Sequence, residues 1–340
     1  MITNLIVQPT GNSLTVQDFG RPNRLADGLS RGGAADRLAL QEAAALLGLS
    51  ASASASLSTI ELPLVGGRFS VTAPTRIALT GAPMKTTLNT APVPWNSTHL
   101  LVPGDQLTIG AAYEGTYGYL TPAGGLATAR IMGAQATHLT AGIGASLTKR
   151  TELTLNPDAN PNAVQMILRP EKRFSGGEVR VMPGPQSDLF DAATSDRFFA
   201  SFFTQSATGN RQGKKLDFGG APFRSNTSSF ASDIIQSGDI QMTGDGVPYV
   251  LLTECQTMGG YPRIGTVIPQ DIPRIAQATP GTPIRFKPIS LAQADALWKS
   301  FDHTLSDLKK QLQPLRRDPH DINDLLSYQL IGGVIRGDET

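Results

Sequence analysis

The residues of this chain best suited to chemistry are arginines, carboxylates and amides set on glycine-rich loops. They are Asp18 with Arg21, Asp36 with Arg37, Asn210 with Arg211, and Gln256 with Thr257. An arginine presents a planar fork of donors that matches a carboxylate or phosphate through paired hydrogen bonds. Acids and amides beside such a fork orient a substrate or exchange its protons. The set suits a small carboxylate, amide or phosphate.

Other chemistries are poorly supplied. His99, His138, His303 and His320 are scattered, and Cys255 is the one cysteine, so a metal site is not expected. A G-x-S-x-G elbow is absent, and Gly142-Ile143-Gly144 lacks the third glycine of a dinucleotide fingerprint. Gly209–Lys215, GNRQGKK, resembles a phosphate loop but is one residue short, with Lys215 where a hydroxyl should hold magnesium. Pro83-Met84-Lys85-Thr86 has the lysine of a biotin-carrying hairpin without its second methionine, which predicts a surface lysine. Cys255 reads either as a nucleophile whose base the sequence does not place, or as a buried small side chain.

The loops need elements to hold them. Ser30–Arg37 opens a helix through Leu38–Leu47 that Gly48 closes. Gly32-Gly33 before it reads as a source of free N–H groups for an anion, or as an ordinary capped start with Asp36 stabilising its own first turn. Leu5–Val7 and Leu14–Val16 read as short strands around Pro9–Asn12, and Ser50–Ser58 as a flexible surface connection. From Thr59 onward short strands alternate with Gly/Pro turns, the texture of a sandwich or barrel. Phe198, Phe199, Phe202 and Phe203 recur at helical spacing, a core face. Thr253–Ile268 offers a polar cluster and a Gly-Gly-Tyr-Pro turn between two strands. Ser290–Gln293 is a capping box, opening a helix predicted to bury Leu291, Ala294, Leu297 and Phe301.

Composition sets outer limits. The 340 residues carry 29 Lys+Arg against 28 Asp+Glu, net +1, which gives no pull toward nucleic acid or anionic lipid. Aromatics are 6%, too few for base-stacking platforms. No basic start leads into an apolar core and no run approaches a membrane span, so a cytoplasmic location with no membrane contact is expected.

Ordered blocks then carry a resemblance. They are Thr15–Pro22, Arg31–Arg37, Ile60-Glu61, Ala78–Ala82, Pro183–Gln186, Asn210–Gly213, Ile240-Gln241, Gln256–Pro262 and Asp271–Arg274. Together, over roughly residues 3–290, the chain resembles the allophanate hydrolase subunit 2 or biotin-dependent carboxyltransferase family, which includes 5-oxoprolinase C subunits. The resemblance implies a mainly β protein with a few helices, built as two cyclophilin-like β-barrel domains at 1–176 and 177–290, with 291–340 a helical extension and tail. It implies a subunit of an ATP-dependent 5-oxoprolinase, a cyclic-amide hydrolase turning 5-oxoproline into glutamate. The implied partners are a subunit 1 (B) protein and a LamB/YcsF-type A subunit. ATP is used with those partners, and no biotin is attached to this chain. The alternatives are a carboxyltransferase component acting on urea or a related amide with carboxybiotin, and a non-catalytic partner of the subunit 1 protein in kinase-inhibitor regulation. Asp36, Arg37 and Gln256 would be catalytic, with Asp18, Arg21, Asn210, Arg211, Thr257 and Tyr261 binding substrate. Glu254-Cys255 stands where the family usually has Asp-Arg, and Met258 replaces a threonine.

Overall fold

The structure, a computed structural model, describes residues 2–315 apart from 12, 55, 170 and 228–230. The charged and glycine-rich end 316–340, expected as a peripheral tail, lies outside the described residues. The fold is mainly β with a few helices, as expected. No described helix is long and apolar enough to cross a membrane.

The first half makes two antiparallel sheets. One orders its strands Thr151–Thr154, Asn4–Pro9, Gly67–Val71, Leu107–Ala112, Met84–Leu88 and Ala91–Pro92. The other runs Thr15–Gln17, Thr59–Pro63, Tyr117–Pro122, Thr75–Gly81, Ser97–Leu101, Met166–Ile167 and Gln313–Pro314. The two early strands therefore belong to different sheets. Leu5, Val7, Ile60, Leu62, Phe69, Leu79 and Leu107 fill one core drawn from both. Lys85 lies exposed inside a strand paired with Leu107–Ala112, not at a hairpin tip where a carrier lysine would sit.

Residues 177–288 close a barrel in the order Gly177–Met182, Arg263–Val267, Asp239–Met242, Pro248–Leu251, Gly213–Phe218, Phe203–Gly209 and Pro283–Pro288. Its first and last strands pair in parallel. Phe198 anchors one end, stacked on Phe286 at 5.2 Å with Phe223 edge-on at 5.3 Å.

Six α-helices cover these sheets among the described residues: α1 (Arg37–Leu46), α2 (Ala51–Ser54), α3 (Ala192–Ala200), α4 (Ile272–Gln277), α5 (Leu291–Leu297) and α6 (Phe301–Lys309). Helix α1 starts because the Asp36 carboxylate accepts the Ala39 N–H (3.2 Å), and it ends where Gly48 adopts φ +74°. Its Ala-rich face lets it lie close on strand Thr75–Gly81, where the Thr80 hydroxyl donates to Ala39 O (2.9 Å).

Three local expectations change. Ser50–Ser58 is no loose connection: it contains α2, and Ser54, Leu57 and Ser58 are buried, with Ser58 Oγ accepting the Leu126 N–H at 2.8 Å. The phenylalanine face is split, because α3 stops at Ala200: Phe203 enters the barrel core while Phe202 is exposed. Helix α5 has the predicted capping box but buries none of its side chains; α6 carries the packing, through Leu305 and through Phe301 set edge-on against Phe19 at 5.3 Å.

The two halves share a second core, in which Ala34, Ala35, Leu40, Tyr117 and Tyr119 pack with Val179, Ile240, Ile275 and Phe286. Gln277 clamps this seam. Its Oε1 accepts the N–H groups of Thr116 and Tyr117 at 2.9 Å, while its Nε2 donates to Asp36 (2.8 Å) and Tyr117 O (2.9 Å).

Candidate functional site

The loop after strand Thr15–Gln17 is tied down by Asp18. Its carboxylate accepts the N–H groups of Gly20 and Gln135, both at 2.7 Å. Gly20 sits at φ +78°, and a Cβ there would lie 2.6 Å from the carbonyl oxygens of Arg31 and Gly32. Only glycine lets the Asp18–Pro22 loop rest on Arg31–Gly33 this closely.

That contact brings arginines together around a cavity of about 340 Å³ between the two halves. Arg21, Arg24, Arg31 and Arg37 line it from the first half; Thr253, Cys255, Pro269 and Ile272 line it from the second. No aspartate or glutamate lies among the described residues of its wall. Arg21 is buried; its Nε donates to Ile131 O (2.9 Å) and its Nη2 to Ala136 O (2.6 Å), while Nη1 is buried without a partner. Arg37 also has a buried, unpartnered Nε, and its guanidinium sits 5.9 Å from the Phe19 ring centre. Burial, with Arg31 nearby, pushes the Arg37 guanidinium down to about 10. Burial likewise lowers Arg21. Thr253 Oγ1 is a third buried polar atom lacking a partner. Buried polar atoms are normally paired. Arg21, Arg37 and Thr253 line the cavity, and each holds one such unpaired donor.

A second cavity of about 860 Å³ lies between α1, α6 and the loop before α4, and Arg31 and Arg37 line both cavities.

Beside the first cavity lies a buried ionic network. Arg211 donates through Nε to Glu254 Oε1 (2.6 Å), through Nη2 to Gly33 O (2.5 Å) and through Nη1 to Glu61. Glu61 Oε2 accepts the Ala35 N–H (2.9 Å) and the Tyr119 hydroxyl (2.8 Å); that hydroxyl in turn accepts the Asp36 N–H (2.9 Å). Burial works against the charge on Arg211, but Glu61 and Glu254 outweigh it and hold the guanidinium above its usual range. Burial disfavours the Glu254 carboxylate too, and Arg211 more than offsets it.

The predicted site residues therefore separate. Arg21 and Arg37 meet on the cavity, and Asp18 secures the loop that carries Arg21. Asp36, expected to be catalytic, does not line this cavity. It is fully buried, its Oδ2 held by Arg173 (2.7 Å) and Gln277 (2.8 Å) and its Oδ1 by the Ala39 N–H. Arg211 is an ion-pair centre whose three side-chain nitrogens are all committed. Ahead of α1, the N–H groups of Ala34, Ala35 and Asp36 are taken by Asp18 O, Glu61 and the Tyr119 hydroxyl. Asn210 caps an exposed turn by accepting the Gln212 N–H (2.7 Å), and this turn joins two barrel strands, not a strand and a phosphate-binding helix. Gln256 and Tyr261 are exposed and Thr257 is half-buried; none of the three lines the 340 Å³ cavity. Cys255 lines it, but burial pushes its thiol up to about 12, so it stays protonated at neutral pH.

Ser30, His138 and Thr253 escape the sequence reading. Ser30 Oγ lies 2.9 Å from His138 Nε2 across 108 residues of chain, a separation no motif spans. The one local signal is Ser30's place directly before the Arg-Gly-Gly run.

The arginine-lined cavity thus lies between a β-sheet body and a closed β-barrel. The chain belongs to the family described as carboxyltransferase domain, subdomain A and B, which matches residues 27–288. It is 34% identical over 294 residues to the 5-oxoprolinase C subunit of Escherichia coli (strain K12), covering 84% of this chain and 91% of that protein. It is 27% identical to a putative urea carboxylase of Emericella nidulans, covering 86% of this chain but 25% of that protein. The solved K. lactis urea amidolyase superposes with a TM-score of 0.79 at 23% identity, over 93% of this chain and 21% of that one, which shows the shared fold. Helices α5 and α6 lie beyond residues 27–288 that the family model matches.

Proposed function

We propose that this chain is a subunit of an ATP-dependent 5-oxoprolinase-type amidohydrolase, and that the cavity between its two halves receives the substrate's carboxylate. The observation that carries this reading is the acid-free wall of four arginines, with Arg21 Nη1, Arg37 Nε and Thr253 Oγ1 left unpaired. 5-Oxoproline joins a carboxylate to a cyclic amide carbonyl. An arginine fork would hold the first, and a hydroxyl donor would polarise the second. The 34% identity to a 5-oxoprolinase C subunit supports the assignment. The partners in this reading are a subunit 1 (B) protein and a LamB/YcsF-type A subunit. ATP is placed with those partners, because the GNRQGKK turn does not fit a phosphate: its arginine is committed to two carboxylates and a carbonyl.

Carboxyl transfer to a urea-like acceptor is the second reading, favoured by the similarity to the putative urea carboxylase. Co-expression with the partner subunits separates the two. Glutamate release from 5-oxoproline that requires ATP supports the first; carboxylation of urea by a biotinylated partner, with no glutamate formed, replaces it.

A further inference from the structure

We infer that Ser30 donates its hydroxyl to an oxygen of the anion bound in the interdomain cavity, and that His138 holds it in that role. The inference rests on the proposed reading of that cavity as a carboxylate site. Ser30 lines the cavity and is itself buried. Its Oγ makes one side-chain hydrogen bond, to His138 Nε2 at 2.9 Å.

The direction of that bond follows from the far side of the ring. His138 Nδ1 accepts the Ala141 N–H at 3.2 Å, so Nδ1 carries a lone pair and the ring proton of neutral His138 sits on Nε2. Nε2–H then donates to Ser30 Oγ. The serine's own proton is left over, on a residue that lines the cavity beside Arg21, Arg37 and Thr253, whose unpaired groups are also able to donate. Burial lowers the proton affinity of His138; Glu254, 3.8 Å from Nδ1, opposes this, and Arg21 and Arg211 reinforce it, so the ring is neutral at pH 7.

The ring cannot drift from this position. Gly32 holds φ +62°, and a Cβ there would come within 2.9 Å of His138 Cδ2. The Gly32 N–H donates to Thr253 O at 2.9 Å, which ties the serine loop to the strand-end residue whose own hydroxyl is unpaired. Ser30, Arg21 and Thr253 thus form three sides of one receptor. His138 acts through Ser30 and is a positioning residue.

The test uses the full chain labelled with ¹⁵N-histidine, and calorimetric titration at pH 7 with 5-oxoproline and, separately, malonate. The expected spectrum shows His138, assigned by its loss in His138→Gln, as the neutral Nε2–H tautomer. Ser30→Ala should weaken binding of whichever probe the wild type takes by roughly tenfold, the worth of one hydrogen bond to a charged group. Ser30→Thr, which restores the hydroxyl, should recover most of it. Malonate binding that depends on Ser30, without 5-oxoproline binding, would leave this inference standing and remove the oxoprolinase reading. Binding of 5-oxoproline unchanged in Ser30→Ala would do the reverse. An Nδ1–H tautomer, or no binding of either probe to the wild type, overturns the inference.

Discussion

Arg37 is the most telling residue of the molecule. A guanidinium partly shielded from water without a carboxylate partner costs stability, and burial, with Arg31 nearby, pushes Arg37 down to about 10. Such a residue persists where a ligand supplies the missing charge. Arg37→Met should therefore raise the midpoint of thermal unfolding, by the equivalent of about 1 kcal/mol. Wild-type protein saturated with a bound carboxylate should gain stability that the variant does not. Differential scanning calorimetry with and without 5-oxoproline reads both effects; a variant less stable than the wild type in the absence of ligand contradicts the account. Arginine as the working residue was legible in the sequence, since its type and its glycine-rich setting both announce anion binding. Which arginines work was not. Arg211 looks equivalent to Arg37 in sequence, yet Glu61 and Glu254, 150 and 43 residues away, neutralise it. Asp36 is paired in the same way by Arg173, 137 residues along the chain.

At the scale of elements, the turn Asn210–Gln212 and the strand Gly213–Phe218 show why the near-match to a phosphate loop holds no phosphate loop. Glycines at both ends of a short polar run serve a β-hairpin as well as a phosphate cradle, and here a strand precedes and a strand follows. Lys214, the first lysine of that run, points into the barrel, where its Nζ donates to Ala278 O at 2.9 Å with no acid nearby. Burial pushes it down to about 8 from an ordinary 10.5. Below pH 8 the folded protein carries the buried charge at a cost. Between pH 8 and 10.5 the unfolded chain binds the extra proton, so this residue makes stability rise with pH over that window. Lys214→Met should accordingly be more stable than the wild type near pH 7, by about 1–2 kcal/mol, and the gap should close toward pH 10. Urea denaturation at several pH values measures it; a constant gap would show that the lysine is already neutral. The strand-and-turn texture and the Ser290–Gln293 capping box were readable because they are local. The burial of Ser54 and Ser58 was not, because low complexity says nothing about what packs above it.

At the scale of the whole molecule, the halves are joined by a shared core, by Gln277 and by the Glu61–Arg211–Glu254 network. Removing one member of a buried ion network strands its partners and costs about 3–5 kcal/mol. Arg211→Met should therefore destabilise strongly, leaving two buried carboxylates facing each other, and both halves should melt together in one transition. Two separated transitions in the wild type would show that the seam is weaker than its contacts imply. The mainly β fold was foreseeable; this seam was not, since its Gln277–Asp36, Gln277–Tyr117 and Arg211–Glu61 bonds cross between the two halves of the chain.

Turnover by the reconstituted assembly probes the cavity on that seam. Glutamate release from 5-oxoproline should be measured with ATP and the co-expressed partner subunits. Arg37→Met is predicted to lower kcat/KM by roughly tenfold to a hundredfold, from the loss of a charged hydrogen bond to substrate. Gln256→Ala, exposed and away from the cavity, is predicted to leave it unchanged. Full activity in Arg37→Met, or a collapse in Gln256→Ala, would move the site out of this cavity.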